Sequence, residues 1–320
     1  MSIDVVEVKR RLLALLNDPN MVNDYLRRYG PVIDIKKIKA VKKNRASDSL
    51  PNRENDPIYE ITVKCPVCNQ DKITGYELRA KTQQVVQNRF LVPSYEGTMN
   101  YETVDYSLLA VTVCPRCLFA SPDKKDFIKK QLSGPGEVKS QLSSHIIMSI
   151  QERTGERKAQ LSPVSDFTSY FNRPRNFEAS IDSYKLAMSR AKAESWHEQP
   201  YSYFKLGSYA LRVAKIMQDN HIDDTDILKE ALGYFGEAFR TSNCPSEELE
   251  LQTIYLIVAL CLRLNESKKA HSYIGVFTNL KNTRLEEMRE NPKLNTTAID
   301  RWNDRAKFLW EERDDPDLFK

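Results

Sequence analysis

The chain has 320 residues, of which 41% are hydrophobic and 29% are charged, and its formal net charge is +4. This length suffices for two or three domains of a soluble protein. The purest apolar run, residues 254–262, is too short for a membrane-spanning helix, which needs about 20 residues. The charge is uneven: residues 1–158 hold 26 Lys and Arg against 19 Asp and Glu, and residues 159–320 hold 22 against 25.

The N-terminus shows no export signal, because acids stand at Asp4 and Glu7 and no cleavage site follows. We therefore expect a cytoplasmic protein, in which paired cysteines indicate metal binding or catalysis more often than disulfides. Residues 1–57 are expected to form an N-terminal helix at 5–16, a basic arm and a flexible linker at 46–57. The basic arm contains Lys36, Lys37, Lys39, Lys42, Lys43 and Arg45.

The basic arm has two interpretations. A run of lysines can bind phosphates of nucleic acid or an anionic surface. The alternating isoleucines of the same segment also fit an edge strand whose lysines face water, and no aromatic residue is present to stack on bases.

Residues 58–121 are predicted to form a β-rich domain around four cysteines. The strands expected here are 58–64, 72–80 and 106–113. Residues 81–105 are interpreted as an insertion, with a loop at 91–102. The cysteines form two Cys-Pro-x-Cys pairs, Cys65 with Cys68 and Cys114 with Cys117, separated by 45 residues.

Two such pairs offer four soft ligands, which suit a tetrahedral Zn²⁺ ion. With four protein ligands there is no open position, so the site is expected to be structural and to hold one ion. A redox dithiol is the main competing interpretation, but that chemistry places the first cysteine at a helix N-terminus. Polar turn and strand residues follow both pairs here. Unrelated buried cysteines are the third interpretation.

Residues 122–170 are interpreted as a helical connector, with helices at 123–132 and 137–153 broken by the Ser-Gly-Pro-Gly of residues 133–136. From residue 171 to the end, apolar residues recur at helical spacing. Stripes are expected within 177–191, 206–217, 228–238, 249–264 and 270–277, with a last helix at 296–313. The stretch 249–264 is apolar nearly all round and should be the most buried helix.

A repeat appears in these helices. Small and large residues alternate at matching spacing in Ser180–Tyr184–Ala187, Ala231–Phe235–Ala238 and, loosely, Ala270–Ile274–Phe277. Leu206-Gly207 with Ala210, and Val258-Ala259 with Leu262, occupy the preceding helices. This pattern is typical of tetratricopeptide (TPR) repeats, although the spacing is irregular and an unrelated helical bundle remains the alternative. The fold class is therefore predicted as α+β and mostly α, a zinc-ribbon-like domain followed by TPR-like antiparallel helices.

In a TPR-like array the first helices line a groove that holds a partner. Arg212 and Arg263 follow the repeat positions on these helices, and they are candidates for holding an acidic or C-terminal carboxylate group. The competing interpretation is that both are solvated surface residues.

The order of these parts resembles an uncharacterised bacterial family, domain of unknown function 2225. The resemblance covers residues 58–280 and is carried by "KCPVCN", "YSLLAVTVCPRCLFA" and the helices that follow. Family members often have Gly after the second cysteine of each pair, where this chain has Asn69 and Leu118. The resemblance implies a bacterial, cytosolic protein that contains zinc, and it implies no activity.

Three functions are compatible with the sequence. The first is a non-enzymatic scaffold or adaptor that binds a protein partner. The second is a nucleic-acid-associated regulator that uses the basic arm and the zinc ribbon. The third, an enzyme, is disfavoured because the chain has no Gly-rich phosphate loop, nucleophile motif or open metal site.

Overall fold

A computed structural model describes residues 55–98, 100–130 and 137–319, without the side chain of residue 130. Residues 53–320 form one compact unit. The predicted helix at 5–16, the basic arm and the linker up to residue 54 lie outside the described residues. The described part is mostly α-helical and carries small antiparallel hairpins, as the fold-class prediction stated.

The β-structure consists of two-stranded antiparallel hairpins. In the first, β1 pairs with β2 from Ile58 opposite Leu78 to Val63 opposite Ile73. The side chains of Ile58 and Val63 on β1 and of Ile73 and Tyr76 on β2 are buried, and the others are partly or fully exposed apart from Gly75, which has none. The strands are β1 (Ile58–Val63), β2 (Ile73–Leu78), β3 (Gln83–Gln87), β4 (Pro93–Gly97), β5 (Thr112–Val113), β6 (Ala120–Ser121), β7 (Lys129–Lys130) and β8 (Glu137–Val138).

The predicted strands at 58–64 and 72–80 are confirmed, and two other predictions need correction. Part of the expected loop at 91–102 is β4, whose backbone pairs with β3. The expected strand at 106–113 is a 3₁₀ turn at Tyr106–Leu108 followed by the two residues of β5. The turn forms because the Asp105 carboxylate accepts a hydrogen bond from the backbone N–H of Ser107 at 3.0 Å.

The expected helix at 123–132 is wrong. Within residues 123–130, Lys124–Asp126 form a 3₁₀ turn and the chain then becomes extended, whereas residues 131–132 lie outside the described residues. Ile128 exchanges two backbone hydrogen bonds with Lys64, at 2.9 and 3.0 Å, so this segment joins the end of β1. Tertiary pairing therefore overrides the local helical preference. Of the helix expected at 137–153, only Ser144–Glu152 is helical, because residues 137–138 form β8.

The helices predicted from the apolar stripes are confirmed. The helices are α1 (Ser144–Glu152), α2 (Thr154–Gln160), α3 (Phe167–Phe171), α4 (Phe177–Trp196), α5 (Ser202–Asp219), α6 (Thr225–Arg240), α7 (Glu247–Arg263), α8 (Ser267–Glu290) and α9 (Thr297–Glu311). The Asn176 side chain caps α4, and Ser246 caps α7. Three glutamates in the first turn of α7 and Arg263 in its last turn complement the helix dipole.

Consecutive helices from α4 to α8 pack against one another, and α9 packs against both α7 and α8. The prediction for α7 is correct, since every residue from Thr253 to Leu262 is buried. All the small and large residues of the three repeat copies are buried as well. Gly207 of α5 lies so close to α6 that an added Cβ would stand 2.6 Å from the ring of Phe235.

Buried arginines connect the hairpins to the helices. Arg175 donates hydrogen bonds to the carbonyl oxygens of Val111, at 2.8 Å, and of Phe171. Arg190 of α4 pairs with Asp126 and, at 3.2 Å, with Glu194. A buried charge is costly unless it is paired, and the pairing of Arg190 with Asp126 therefore holds the β-rich region against α4.

Candidate metal centre

The two cysteine pairs sit on turns with the same backbone hydrogen bonds. In the first turn, the N–H of Asn69 donates to the carbonyl of Cys65 at 3.1 Å, and the N–H of Cys65 donates to the carbonyl of Gln70 at 2.9 Å. In the second turn the corresponding bonds run from Leu118 to Cys114, at 2.9 Å, and from Cys114 to Phe119, at 2.8 Å. The chain therefore builds one local structure twice.

Both turns pass through the left-handed region of backbone space. Asn69 has φ of 55° and Leu118 has φ of 58°. Glycine adopts this conformation without strain, asparagine tolerates it and leucine does not favour it. The strain at Leu118 is offset by burial, because its side chain is fully buried in the main core.

The two turns bring the four cysteines together. Their Sγ atoms all lie within 4.8 Å of one another. The closest sulfurs come from different turns: Cys65 and Cys117 are 3.5 Å apart, as are Cys68 and Cys114. A tetrahedral zinc ion with Zn–S bonds of about 2.3 Å needs sulfurs about 3.8 Å apart. All four cysteines are free thiols, so the donor set fits a metal ion.

The close sulfur atoms perturb one another's acidity. The neighbouring thiols of Cys117 and Cys65 lower the pKa of Cys114. Contact with Cys114, together with burial, raises the pKa values of Cys65 and Cys117. Backbone N–H groups also point at sulfur, as from Val67 to Cys65 at 3.4 Å. Such donors stabilise thiolate charge.

The site is enclosed by apolar side chains from several elements. Cys65, Cys114 and Cys117 are buried, and Cys68 is partly exposed. The surrounding core combines residues of the hairpins with residues of α1 and α4. Its other buried members are Val63, Val67, Ile73, Phe119, Phe127, Ile146, Ile150 and Ala193. The four sulfurs therefore lie in a largely apolar environment, with Cys68 on its more exposed side.

Arg157 is the nearest structural support that sequence reasoning missed. Its guanidinium donates from Nε and Nη2 to the carbonyl oxygen of Cys117, at 3.2 and 2.9 Å. Burial lowers the pKa of Arg157, and the negative charge of the cysteines opposes that shift. The residue lies on α2, 40 positions after Cys117, so no local motif could have revealed it.

The other predicted site residues are not part of this centre. The basic arm, from Lys36 to Arg45, lies outside the described residues. Arg212 lies on α5 beside a cleft. Arg263, in the last turn of α7, pairs with Asp224 at 3.3 Å and is absent from the lining of that cleft. The prediction that Arg212 and Arg263 contact a partner stays a prediction.

The geometry defines a mostly helical protein in which four largely buried cysteines are positioned to hold a metal ion. The chain belongs to the domain-of-unknown-function family 2225, described as an uncharacterised protein conserved in bacteria, whose model matches residues 58–304. No curated protein and no solved structure matches the chain. In the described residues, every helix is too short or too polar to cross a bilayer.

Proposed function

We propose that this protein is a non-enzymatic scaffold or adaptor, in which a structural Zn²⁺ ion held by Cys65, Cys68, Cys114 and Cys117 stabilises a TPR-like helical array. The observation that carries the proposal is the closed four-sulfur cluster, with Sγ atoms within 4.8 Å in an apolar core. Four sulfur ligands favour zinc or iron over hard cations. The zinc-ribbon-like assignment rests on the two matching cysteine turns.

The helical array supports the interaction role. The small residues of the repeat copies are buried at helix contacts, and Gly207 allows α5 and α6 to approach closely. Stacked helical hairpins of this kind present an extended surface to partners. The metal centre is joined to the array through α1 and α4, so metal binding stabilises both regions together.

The zinc assignment is tested by the metal content of the purified full chain. We expect one zinc per chain, and cobalt(II) substitution should give the absorption bands of tetrahedral thiolate ligation. Cys114→Ser should abolish metal binding, whereas the control Cys244→Ser should retain it, because Cys244 lies outside the cluster. Iron in place of zinc would change the ion but not the site. A folded chain that binds no metal would refute the centre.

The interaction role is tested by site-specific photocrosslinking in the native cells. A photoreactive residue at Ser208, beside the cleft, should capture one protein in stoichiometric yield. The control is the same residue at Lys229, on the exposed face of α6. Capture that disappears after nuclease treatment would overturn the proposal in favour of a nucleic-acid-associated regulator that uses the basic arm. Equal capture at both positions would argue against a defined docking surface.

A further inference from the structure

A cleft of about 760 Å³ opens between the helical array and the β3–β4 loop. Its walls come from α5, from α7 and α9, and from the loop that contains Phe90. Aromatic side chains, among them Tyr209 and Trp302, alternate with charged ones. A cavity of this size can take several residues of a peptide or a small molecule.

Most basic side chains that line the cleft are already neutralised. Lys205 pairs with the buried carboxylate of Glu194 at 2.8 Å. Arg301 pairs with Glu248 at 2.6 Å. Arg190 pairs with Asp126, as described above. The charges of these three cations are offset by carboxylates within the protein.

Two further arginines in the lining, Arg212 and Arg305, make no ion pair among residues 55–98, 100–130 and 137–319. The positive charge of Arg212 lies near the phenols of Tyr95 and Tyr184, where it opposes the rise that burial causes in the pKa of both tyrosines. The Arg305 guanidinium lies over the ring of Trp302, 4.7 Å from its centroid. A guanidinium has five N–H donors, so both arginines retain donors for a ligand.

The acidic side chains of the cleft lining do not offset these two arginines. Asp126 and Glu248 are used in the ion pairs above, and Asp123 is exposed. The Asp123 carboxylate caps a 3₁₀ turn by accepting from the N–H of Lys125 at 2.9 Å. Counting paired charges as neutral, two cations face one anion, and the cleft favours a negatively charged ligand.

The C-terminal tail shows what kind of segment this surface accepts. Leu318 is buried, and the ring of Phe319 stacks on Phe90 with centroids 5.0 Å apart. Gln218 of α5 donates to the carbonyl of Phe319 at 2.8 Å. Because Phe90 also lines the cleft, an aromatic residue preceded by acidic ones, in "DDPDLF", already packs at the cleft edge.

We propose that the cleft binds an acidic peptide segment of a partner protein. A carboxylate of the segment forms a bidentate hydrogen-bonded ion pair with Arg212 or Arg305. A neighbouring leucine or aromatic side chain of the segment packs against the aromatic rings of the cleft. This inference rests on the proposed docking function and specifies its ligand class. The tail of the chain packs at the cleft edge through the contact of Phe319 with Phe90, and in the lining Arg305 is exposed while Arg212 is partly buried.

The test uses a displayed library of random 12-residue peptides selected on the full, metal-loaded chain. Retained peptides are synthesised with a fluorophore, and their dissociation constants are measured by anisotropy. We expect enrichment of Asp or Glu next to Leu or Phe. Arg305→Met should weaken binding about 10-fold, the effect of one charged hydrogen-bonded contact. The control Lys229→Met, on the far face of α6, should change nothing.

Arg212 is partly buried near Tyr184, so its replacement is made as Arg212→Lys, which keeps the positive charge but lacks the planar guanidinium. A several-fold loss of affinity is expected in the folded variant. Retained peptides without acidic preference, affinities unchanged in Arg305→Met, or no retained peptide at all would each overturn the inference. If a partner is captured at Ser208 and its affinity is unchanged in both arginine variants, this inference is refuted while the docking function still holds.

Discussion

Gly207 allows a sharp test of how α5 and α6 pack. In an ordinary helix, Gly→Ala stabilises by about 1 kcal/mol because alanine loses less backbone entropy. At Gly207 the new Cβ would stand 2.6–2.8 Å from three ring atoms of Phe235. The Phe235 ring is fully buried and meets the Phe204 ring edge-on, with centroids 5.4 Å apart. Moving it aside would therefore disturb the packing of the core. Overpacking of this kind costs about 1–3 kcal/mol.

Gly233 and Gly236 of α6 are matched controls, because a Cβ at either position would meet nothing within 4 Å. We expect Gly233→Ala to raise the melting temperature and Gly207→Ala to lower it relative to that control. The expected difference in free energy is about 1–3 kcal/mol, at roughly 2–4 °C per kcal/mol for a domain of this size. The assay is thermal unfolding of the metal-loaded chain followed by helical circular dichroism.

A double-mutant cycle separates the clash from other effects. Phe235→Leu removes the ring atoms that the new methyl would meet, so Gly207→Ala should cost less in the Phe235→Leu background than in the wild type. If Gly207→Ala proves as stable as Gly233→Ala, the close approach of the two helices is not real. The reasoning about small residues at helix contacts would then fail.

Three further predictions concern the β-rich region. Asn69→Ala should destabilise the metal-loaded chain by about 1 kcal/mol in thermal unfolding while Asn69→Gly is nearly neutral, because the position has positive φ; equal effects would contradict this. Burial lowers the pKa of Lys124 to about 7, so the folded chain binds fewer protons than the unfolded chain above that pH. The free energy of unfolding should therefore rise from about pH 7 to about pH 10, and Lys124→Met should remove this rise in denaturant titrations. Arg190→Met should cost about 3–5 kcal/mol in the same titrations, because two carboxylates lose a buried partner; a loss below 1 kcal/mol would show that the network contributes little.

The clustering of Cys65, Cys68, Cys114 and Cys117 was predictable because its information is local. Each Cys-Pro-x-Cys defines its own turn, and the flanking strands β1 and β2 follow from alternation within a few residues. The helices α4 to α9 were predictable for a similar reason, since each has an apolar stripe long enough to show its period. Local patterns of this length leave few alternatives.

The features that could not be predicted from the sequence depend on contacts between distant segments of the chain. The segment at 123–130 looked helical, but its backbone pairs with Lys64. Arg157 supports Cys117 from 40 residues away. The cleft joins Arg212 of α5 to Arg305 of α9 and to the β3–β4 loop. Such arrangements are set by tertiary packing, and a single sequence carries no direct record of which side chains meet.

The separation of the two cysteine turns has a consequence for how the chain is made. Cys68 and Cys114 are 46 residues apart, so at about 5–20 residues per second the second pair follows the first after about 2–9 s. During that interval the first pair is an incomplete chelate. Its apolar enclosure is complete only after Ala193 has been synthesised. An ion held by the four cysteines would therefore be enclosed only late in synthesis, after the residues of α4 that cover the cluster have been made.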